Sequence, residues 1–186
     1  GVVTGVGAGT ATFTFTNSAG CLANPTAAVT VNAKPSVSVT GASTICVGQS
    51  TTLSPTTGGT WISSDTLIAA ITDDGIVTAV SAGTATFTFL NTSTGCISNP
   101  TSAITINALP IVSVTGTTTV CLNSTTTLSP TTGGTWTSTH PEIATVTNDG
   151  VVVGVAVGSL SFLFTSSATG CTSDETEYVT VQSCSS

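Results

Sequence analysis

Gly83-Thr-Ala-Thr-Phe-Thr-Phe89 sets an apolar side chain at every second position from Ala85 onward, with threonine between. A period of two belongs to a strand with one buried face, because successive side chains point to opposite sides. The stretch returns letter for letter at Gly9–Phe15, and in pattern as Gly158-Ser-Leu-Ser-Phe-Leu-Phe164. Working outward, Ser54-Pro-Thr-Thr-Gly-Gly-Thr-Trp61 returns unchanged 75 positions on, at Ser129–Trp136. Cys21, Cys96 and Cys171 keep the same interval, as do Cys46 and Cys121. A fixed period of this kind marks a tandem array. The expected domains are an incomplete repeat over 1–33 and complete repeats over 34–108 and 109–186. The first copy is one residue shorter, at Asn17–Gly20 against Asn91–Gly95. The junctions read Asn32-Ala-Lys-Pro35 and Asn107-Ala-Leu-Pro110, short proline linkers that are stiffer than Gly/Ser chains.

In the second repeat the alternation and the turn residues predict strands at about 36–40, 43–47, 50–55, 59–63, 68–72, 75–80, 84–90 and 102–107. Thr and Val favour strands through branching at Cβ. Asp73-Asp74-Gly75 and Asn148-Asp149-Gly150 are turn signals, and Gly58-Gly59 marks another tight connection. So many short strands in about 75 residues point to a two-sheet sandwich. Trp61 and Trp136 fall where such a sandwich buries a tryptophan. No segment has a helical period.

Composition narrows the function. The 186 residues hold one Lys, no Arg, one His and eight acids, for a net charge of −7. Thr numbers 43 and Ser 24, over a third of the chain, and only 5% of residues are charged. One cation cannot neutralise a run of phosphates, so nucleic acid is not an expected partner. General acid–base chemistry on His or Lys has almost no raw material. A mean hydropathy of +0.49 is too apolar for a disordered chain. No apolar run approaches the ~20 residues of a membrane span, and no signal peptide stands at the start. The opening Gly-Val-Val and the lack of Met read as a piece of a longer or processed protein. Six cysteines in so polar a chain fit an oxidising, extracellular compartment.

Several spaced anchors line up with a known family. They are Gly48-Gln49, Thr52-Leu53, Trp61 with Ser63-Ser-Asp65, Ile71, Gly75-Ile-Val-Thr-Ala-Val80 and Ala82-Gly-Thr-Ala-Thr-Phe87. Together they resemble the bacterial immunoglobulin-like group 2 domain, over both complete repeats and the last strands of the partial one. The added cysteines, the threonine richness and the Thr-Thr-Gly-Gly-Thr-Trp phrase resemble arrays in giant Bacteroidota surface proteins. Those include gliding-motility adhesins exported by type IX secretion. The resemblance implies an all-β fold of tandem immunoglobulin-like β-sandwiches in a linear array. It also implies a stalk or adhesin at the bacterial cell surface rather than an enzyme.

Within that fold the cysteines admit two pairings. One bonds Cys46 to Cys96 and Cys121 to Cys171, inside each repeat. The other follows the strand poles. Cys46 precedes the second strand, at the C-terminal pole, and Cys96 precedes the last strand, at the N-terminal pole. A strand of about seven residues separates the poles by roughly 23 Å, whereas a disulfide needs Cα atoms about 4.4–6.8 Å apart. The pole of one domain abuts the opposite pole of the next, which favours Cys46–Cys171 across the junction. Cys184 stands where the second repeat has Leu109, and would take Cys121. Cys21 and Cys96 would then pair with upstream repeats. Bridges of that kind resist hinging and extension; bridges inside repeats only reinforce small cores.

Other chemistry is thin. His140 is a lone turn histidine, and the cysteine intervals lack zinc spacing. Asp73 and Asp74 are read as turn residues rather than calcium ligands. Lys34 sits in a linker, which disfavours an isopeptide bond. Gly5-Val-Gly-Ala-Gly9 lacks the strand–loop–helix setting of a phosphate loop. No cofactor or metal is expected. Asp65-Thr66-Leu67 resembles an O-glycosylation acceptor of Bacteroidota, with Thr66 modified. Asn91-Thr-Ser and Asn123-Ser-Thr match the N-glycosylation pattern and are set aside for a bacterial protein. The expected role is structural, with neighbouring repeats of the same chain as partners and other copies in a filament. Two rivals stand. One is a polymerising fibre subunit whose first repeat is completed by another chain. The other is a carbohydrate-binding module, for which Tyr178 is the best candidate among aromatics expected to point inward.

Overall fold

The computed structural model describes residues 1–184; positions 185 and 186, the end of the third expected repeat, lie outside the described residues. All regular structure among the described residues is strand. By contact the chain divides into two compact units. One comprises Gly1–Ser43, Ser50–Thr78 and Thr84–Ile104, and the other Thr44–Gln49, Ala79–Gly83 and Thr105–Ser186. The first repeat holds β1 (Gly9–Ala11) and β2 (Val29–Val31). The second holds β3 (Ser38–Val39), β4 (Thr44–Cys46), β5 (Ser50–Ser54), β6 (Gly59–Ser63), β7 (Ala69–Ile71), β8 (Ile76–Ala79), β9 (Gly83–Ala85), β10 (Phe87–Asn91) and β11 (Ile104–Asn107). The third holds β12 (Ser113–Val114), β13 (Thr119–Cys121), β14 (Thr125–Ser129), β15 (Gly134–Ser138), β16 (Ala144–Val146), β17 (Val151–Gly154), β18 (Gly158–Leu160), β19 (Phe162–Ser166) and β20 (Val179–Gln182).

The third repeat shows the architecture within one unit. One sheet has the order β12-β14-β17-β16, and facing it are β13-β20-β18 and the pair β15-β19. Leu128, Ala144 and Val152 from the first sheet meet Val120, Trp136, Leu160, Phe162, Phe164, Val179 and Val181 from the other strands in one core. The strand Thr125–Ser129 alternates, with Thr126 and Leu128 inward. In the first unit the order β3-β5-β8-β7 and the pair β6-β10 recur, with Leu53, Trp61, Ala69, Val77, Phe87 and Phe89 buried. The fold is all-β, made of tandem immunoglobulin-like β-sandwich repeats.

The repeated phrase has a local cause. The peptide bonds Ser54–Pro55 and Ser129–Pro130 are cis. The Pro55 carbonyl accepts a hydrogen bond from Trp61 Nε1 at 3.0 Å, and Pro130 does the same for Trp136 at 2.9 Å. Trp61 then meets Phe89 edge-on at 5.1 Å between ring centroids. Gly58 takes a positive φ of 88°. A Cβ on Gly59 would run into the Leu90 carbonyl oxygen of the paired strand first and would stand 2.6 Å from the Phe89 ring, so the second glycine is required by the close approach of β10.

One expected strand is two. The stretch 84–90 divides at Thr86, into β9 and β10. In the third repeat the matching break at Ser161 carries the chain between sheets, since β18 pairs with β20 while β19 pairs with β15. The break leaves no bare backbone group. Ser161 N donates to Thr139 Oγ1, and its carbonyl accepts from Thr139 N and Oγ1. At Thr86 the amide donates to Ser64 Oγ and the carbonyl accepts from Ser64 N. A residue bonded to the loop after β6 or β15 cannot also bond in a ladder, so the strand ends there.

Candidate functional site

The residues with chemistry to offer are the cysteines. Thr44-Ile-Cys46 runs parallel to the last strand of its repeat, with Ile45 opposite Ile106 and Cys46 opposite Asn107. Val47 N donates to the Asn107 carbonyl at 3.0 Å, and Gln49 N turns back to the Cys46 carbonyl at 3.0 Å. Cys46 is therefore fixed beside the point where the chain leaves the second repeat. Thr119-Val-Cys121 is set the same way, with Cys121 opposite Gln182. Asn123 there takes a positive φ of 62° where the second repeat has Gly48.

Cys171 sits in the hairpin after β19. Ser166 N donates to its carbonyl at 2.9 Å, Gly170 N to the Ser166 carbonyl at 2.9 Å, and Cys171 N to Thr169 Oγ1 at 3.3 Å. The structure brings Cys46 and Cys171 together as a disulfide, with Cα atoms 5.7 Å apart across 125 positions. Both side chains are buried. A second disulfide joins Cys121 to Cys184, with Cα atoms 5.4 Å apart across 63 positions. Cys46 is not brought to Cys96, nor Cys121 to Cys171. Cys21 and Cys96 are free thiols, the first exposed and the second half-buried. Cys96 lies in a hairpin matching that of Cys171: Asn91 N reaches its carbonyl at 2.9 Å, and Cys96 N reaches Thr94 Oγ1 at 3.4 Å.

The remaining sequence candidates are turn and linker residues. Thr66 is exposed on the turn after β6, where the Asp65 carboxylate accepts from Leu67 N at 2.9 Å. The His140 carbonyl accepts from Ile143 N at 2.9 Å in the matching turn. The Thr72 hydroxyl donates to the Asp74 carboxylate. At the corresponding turn the Thr147 hydroxyl, aided by the backbone amide of Asp149, holds the Asp149 carboxyl below the usual range. Lys34 Nζ donates to Asn99 Oδ1 at 3.0 Å. Among the described residues no three His, Cys, Asp or Glu side chains gather as metal ligands. Trp61, Trp136, Phe87, Phe89, Phe162 and Phe164 are buried, while Tyr178, Phe13 and Phe15 are exposed.

Sequence reasoning missed one set of residues. Ser98 Oγ accepts from Phe89 N at 2.9 Å and Thr101 Oγ1 from Phe87 N at 3.2 Å. Ser173 and Thr176 do the same for Phe164 and Phe162. The segment after each cysteine thus runs back along the aromatic strand and satisfies buried amides with hydroxyls. The signal was present as Ser98-x-x-Thr101 and Ser173-x-x-Thr176, spaced by the repeat.

No family model matches the chain, and no curated protein matches it. It is similar to several solved structures. Invasin, described as a bacterial integrin-binding protein, is 17% identical with a TM-score of 0.45, over 97% of this chain and 46% of that one. The C-terminal 282-residue fragment of intimin was solved with the intimin-binding domain of the translocated intimin receptor. It is 16% identical with a TM-score of 0.43, over 75% of this chain and 62% of that one. Domains 1–6 of the surface layer protein SbsC are 18% identical with a TM-score of 0.34, over 100% of this chain and 37% of that one. The chain spans less than two thirds of the length of each of these structures.

Proposed function

We propose that the chain is part of a load-bearing stalk in a bacterial cell-surface adhesin or extracellular filament, with disulfides stapling neighbouring repeats. The reading takes 1–33, 34–108 and 109–186 as successive repeats of the group 2 immunoglobulin-like type, in an array of the gliding-motility adhesin kind. The observation that carries it is the Cys46–Cys171 bond, which spans 125 positions and so cannot lie inside one 75-residue repeat. A linker such as Asn107-Ala-Leu-Pro110 leaves two domains free to hinge. A covalent cross-link beside it removes that freedom and shields the chain between its ends from tension. The cysteines offer a staple, while Asp65, Asp74 and Asp149 are engaged in turns. A surface of Thr and Ser with few cations suits a solvated extracellular rod that does not attract polyanions.

The test is disulfide mapping of unreduced protein by digestion and mass spectrometry. The reading expects a Cys46–Cys171 peptide and a Cys121–Cys184 peptide. Finding Cys46 linked to Cys96 would sink it, because each repeat would then be closed on itself. Thr66 is proposed as a glycan acceptor on the same exposed rod, and an intact mass at the unmodified value would dismiss that part.

A further inference from the structure

Asp74-Gly75 and Asp149-Gly150 are the only Asp-Gly pairs in the chain, and each stands in the turn that leads into β8 or β17. In such a pair the glycine amide nitrogen can attack the aspartate side-chain carboxyl, since no Cβ stands in its way. The glycine is fixed by the fold. Gly75 and Gly150 take φ values of 81° and 80°. A Cβ on either would stand 2.6 or 2.7 Å from the carbonyl oxygen of Leu53 or Leu128. The glycines are buried, while both aspartates are exposed. Each complete repeat therefore carries a reactive pair on its surface. In both turns the attacking and the attacked group are held by one threonine. Gly75 N donates to the Thr72 carbonyl, and Gly150 N to that of Thr147, each at 3.0 Å. The Thr72 hydroxyl donates to the Asp74 carboxylate. The Thr147 hydroxyl is the first cause that holds the Asp149 carboxyl below its usual range, and an ionised carboxylate has no hydroxyl to lose. The same two hydroxyls accept from Ile76 N at 3.2 Å and Val151 N at 3.1 Å, which ties them to the strands that follow.

We infer that Asp74 and Asp149 are sites of spontaneous isomerisation to isoaspartate, and that Thr72 and Thr147 are the positioning residues that keep them closed in the folded chain. The step begins when the turn opens and the glycine amide is released. Its nitrogen bonds to the aspartate Cγ, the bond from Cγ to its hydroxyl breaks, and the amide proton and the hydroxyl leave as water. A water molecule then opens the resulting succinimide ring at either carbonyl. Opening at one returns aspartate, and opening at the other leaves the main chain running through the side-chain carbon. Atoms balance, and no oxidant or enzyme takes part. The product cannot close the turn as before, because the main chain is one carbon longer there. The Gly75 carbonyl accepts from Leu53 N and the Gly150 carbonyl from Leu128 N, each at 2.8 Å. Leu53 and Leu128 are 1% and 0% exposed. A displaced glycine carbonyl thus leaves a buried amide unpaired beside the core. The modification is one the chain makes on itself whenever the turn opens, and it weakens the repeat that carries it. It is independent of how the cysteines pair.

The experiment incubates the whole chain at neutral pH in water enriched in heavy oxygen. Peptide mapping then counts, at each site, the isoaspartate formed and the label taken up when the ring opens. Free peptides of residues Ala70–Val77 and Thr145–Val152 give the rates of the open turns. A reaction that needs the turn open proceeds in proportion to the time it spends open, so the native chain should react roughly tenfold or more slowly than the peptides. Equal rates in chain and peptide would overturn the inference without reference to any variant. Thr72→Val removes the hydroxyl at nearly constant shape, and should speed isomerisation at Asp74 roughly tenfold while leaving Asp149 unchanged. Thr147→Val should do the converse. Thr72→Ser and Thr147→Ser keep the hydroxyl and should stay near the wild-type rate. Val variants no faster than wild type, Ser variants as fast as Val, or one substitution that speeds both turns alike would overturn the role given to the threonines. The last result would mean that the variant acts by unfolding the chain.

Discussion

Pulling the chain by its two ends separates the possible roles of the cysteines. While Cys46–Cys171 holds, the 125 residues between its ends cannot be drawn out. At about 3.3–3.6 Å per extended residue they conceal roughly 410–450 Å of contour. Cys121 lies within that loop, so Cys121–Cys184 adds nothing to the path between the termini until the first bond is gone. Cys46→Ser should then leave only the 63-residue loop concealed, about 210–230 Å. The assay is single-molecule force spectroscopy with and without dithiothreitol. Reduction is expected to lengthen the fully unfolded wild-type chain by the larger amount, and Cys46→Ser by the smaller. Two concealed loops of 50 residues, Cys46 to Cys96 and Cys121 to Cys171, would instead give two increments of roughly 165–180 Å each. That result would refute the reasoning, because it requires closure inside each repeat. The same loop size predicts the thermodynamic effect. Removing a cross-link of this length costs about 2–5 kcal/mol through the unfolded chain's regained freedom, a mechanism that is model-dependent.

Two further outcomes follow from the sandwich interior and one from an exposed turn. Ser173→Ala removes the acceptor of the buried Phe164 amide, and should lower urea stability by about 1–3 kcal/mol; an unchanged midpoint would mean the amide finds another partner. Trp61→Phe and Trp136→Phe each remove one indole–proline carbonyl bond, at 3.0 and 2.9 Å, and should cost about 1–3 kcal/mol apiece. Markedly unequal costs would show that the repeated phrase does not do the same job twice. Asp149 is held below its ordinary value of 3.8 by the Thr147 hydroxyl first. A depressed carboxyl contributes stability that is present above the unfolded pKa and lost as pH falls through the folded one. Wild type should therefore keep a constant margin over Asp149→Asn above about pH 5, and that margin should close as pH falls below about 4. A margin that opened as pH fell would contradict the sign.

The alternation in Gly83–Phe89 carried the strand and its buried face, because burial on one side of a pleat leaves a mark at every second residue. The same stretch hid the break at Thr86. The alternation continues through that residue unbroken, and only the loop bond from Ser64 ends the ladder. Parallel pairing of Thr44–Cys46 with Thr105–Asn107 was equally invisible. A strand's own residues record which face is buried but not the direction of its neighbour. The Thr-Thr-Gly-Gly-Thr-Trp phrase announced a repeat. Its cause is part local, an indole on a proline carbonyl six positions away, and part distant, a glycine against Phe89 and Leu90 thirty and thirty-one positions on. The hydroxyls of Ser98 and Thr101 went unread for a related reason. In a chain more than a third Ser and Thr, two more carry no signal until a buried amide needs them.

The parallel register also determines what a cysteine at the end of the first strand can reach. Cys121 lies opposite Gln182, and two residues beyond Gln182 stands its partner, Cys184. Cys46 lies opposite Asn107, and two residues beyond Asn107 stands Leu109, which is half-buried. One position therefore separates a repeat that closes on its own tail from one whose cysteine is left for the Cys171 hairpin. Leu109→Cys with Cys171→Ser should give a disulfide between Cys46 and the introduced cysteine, closing 63 residues as Cys121–Cys184 does. With Cys171 retained the two acceptors compete. Loop entropy alone favours the shorter closure by about 0.6 kcal/mol, roughly threefold. Non-reducing mapping reads the ratio directly. A share for the introduced cysteine far below that ratio would mean the hairpin around Cys171 is held in place by its own backbone bonds strongly enough to outweigh chain entropy. A free Cys46 thiol in the double variant would mean more, because position 109 would then not lie where the register puts it, and the likeness between the two cysteine strands would end at their sequence.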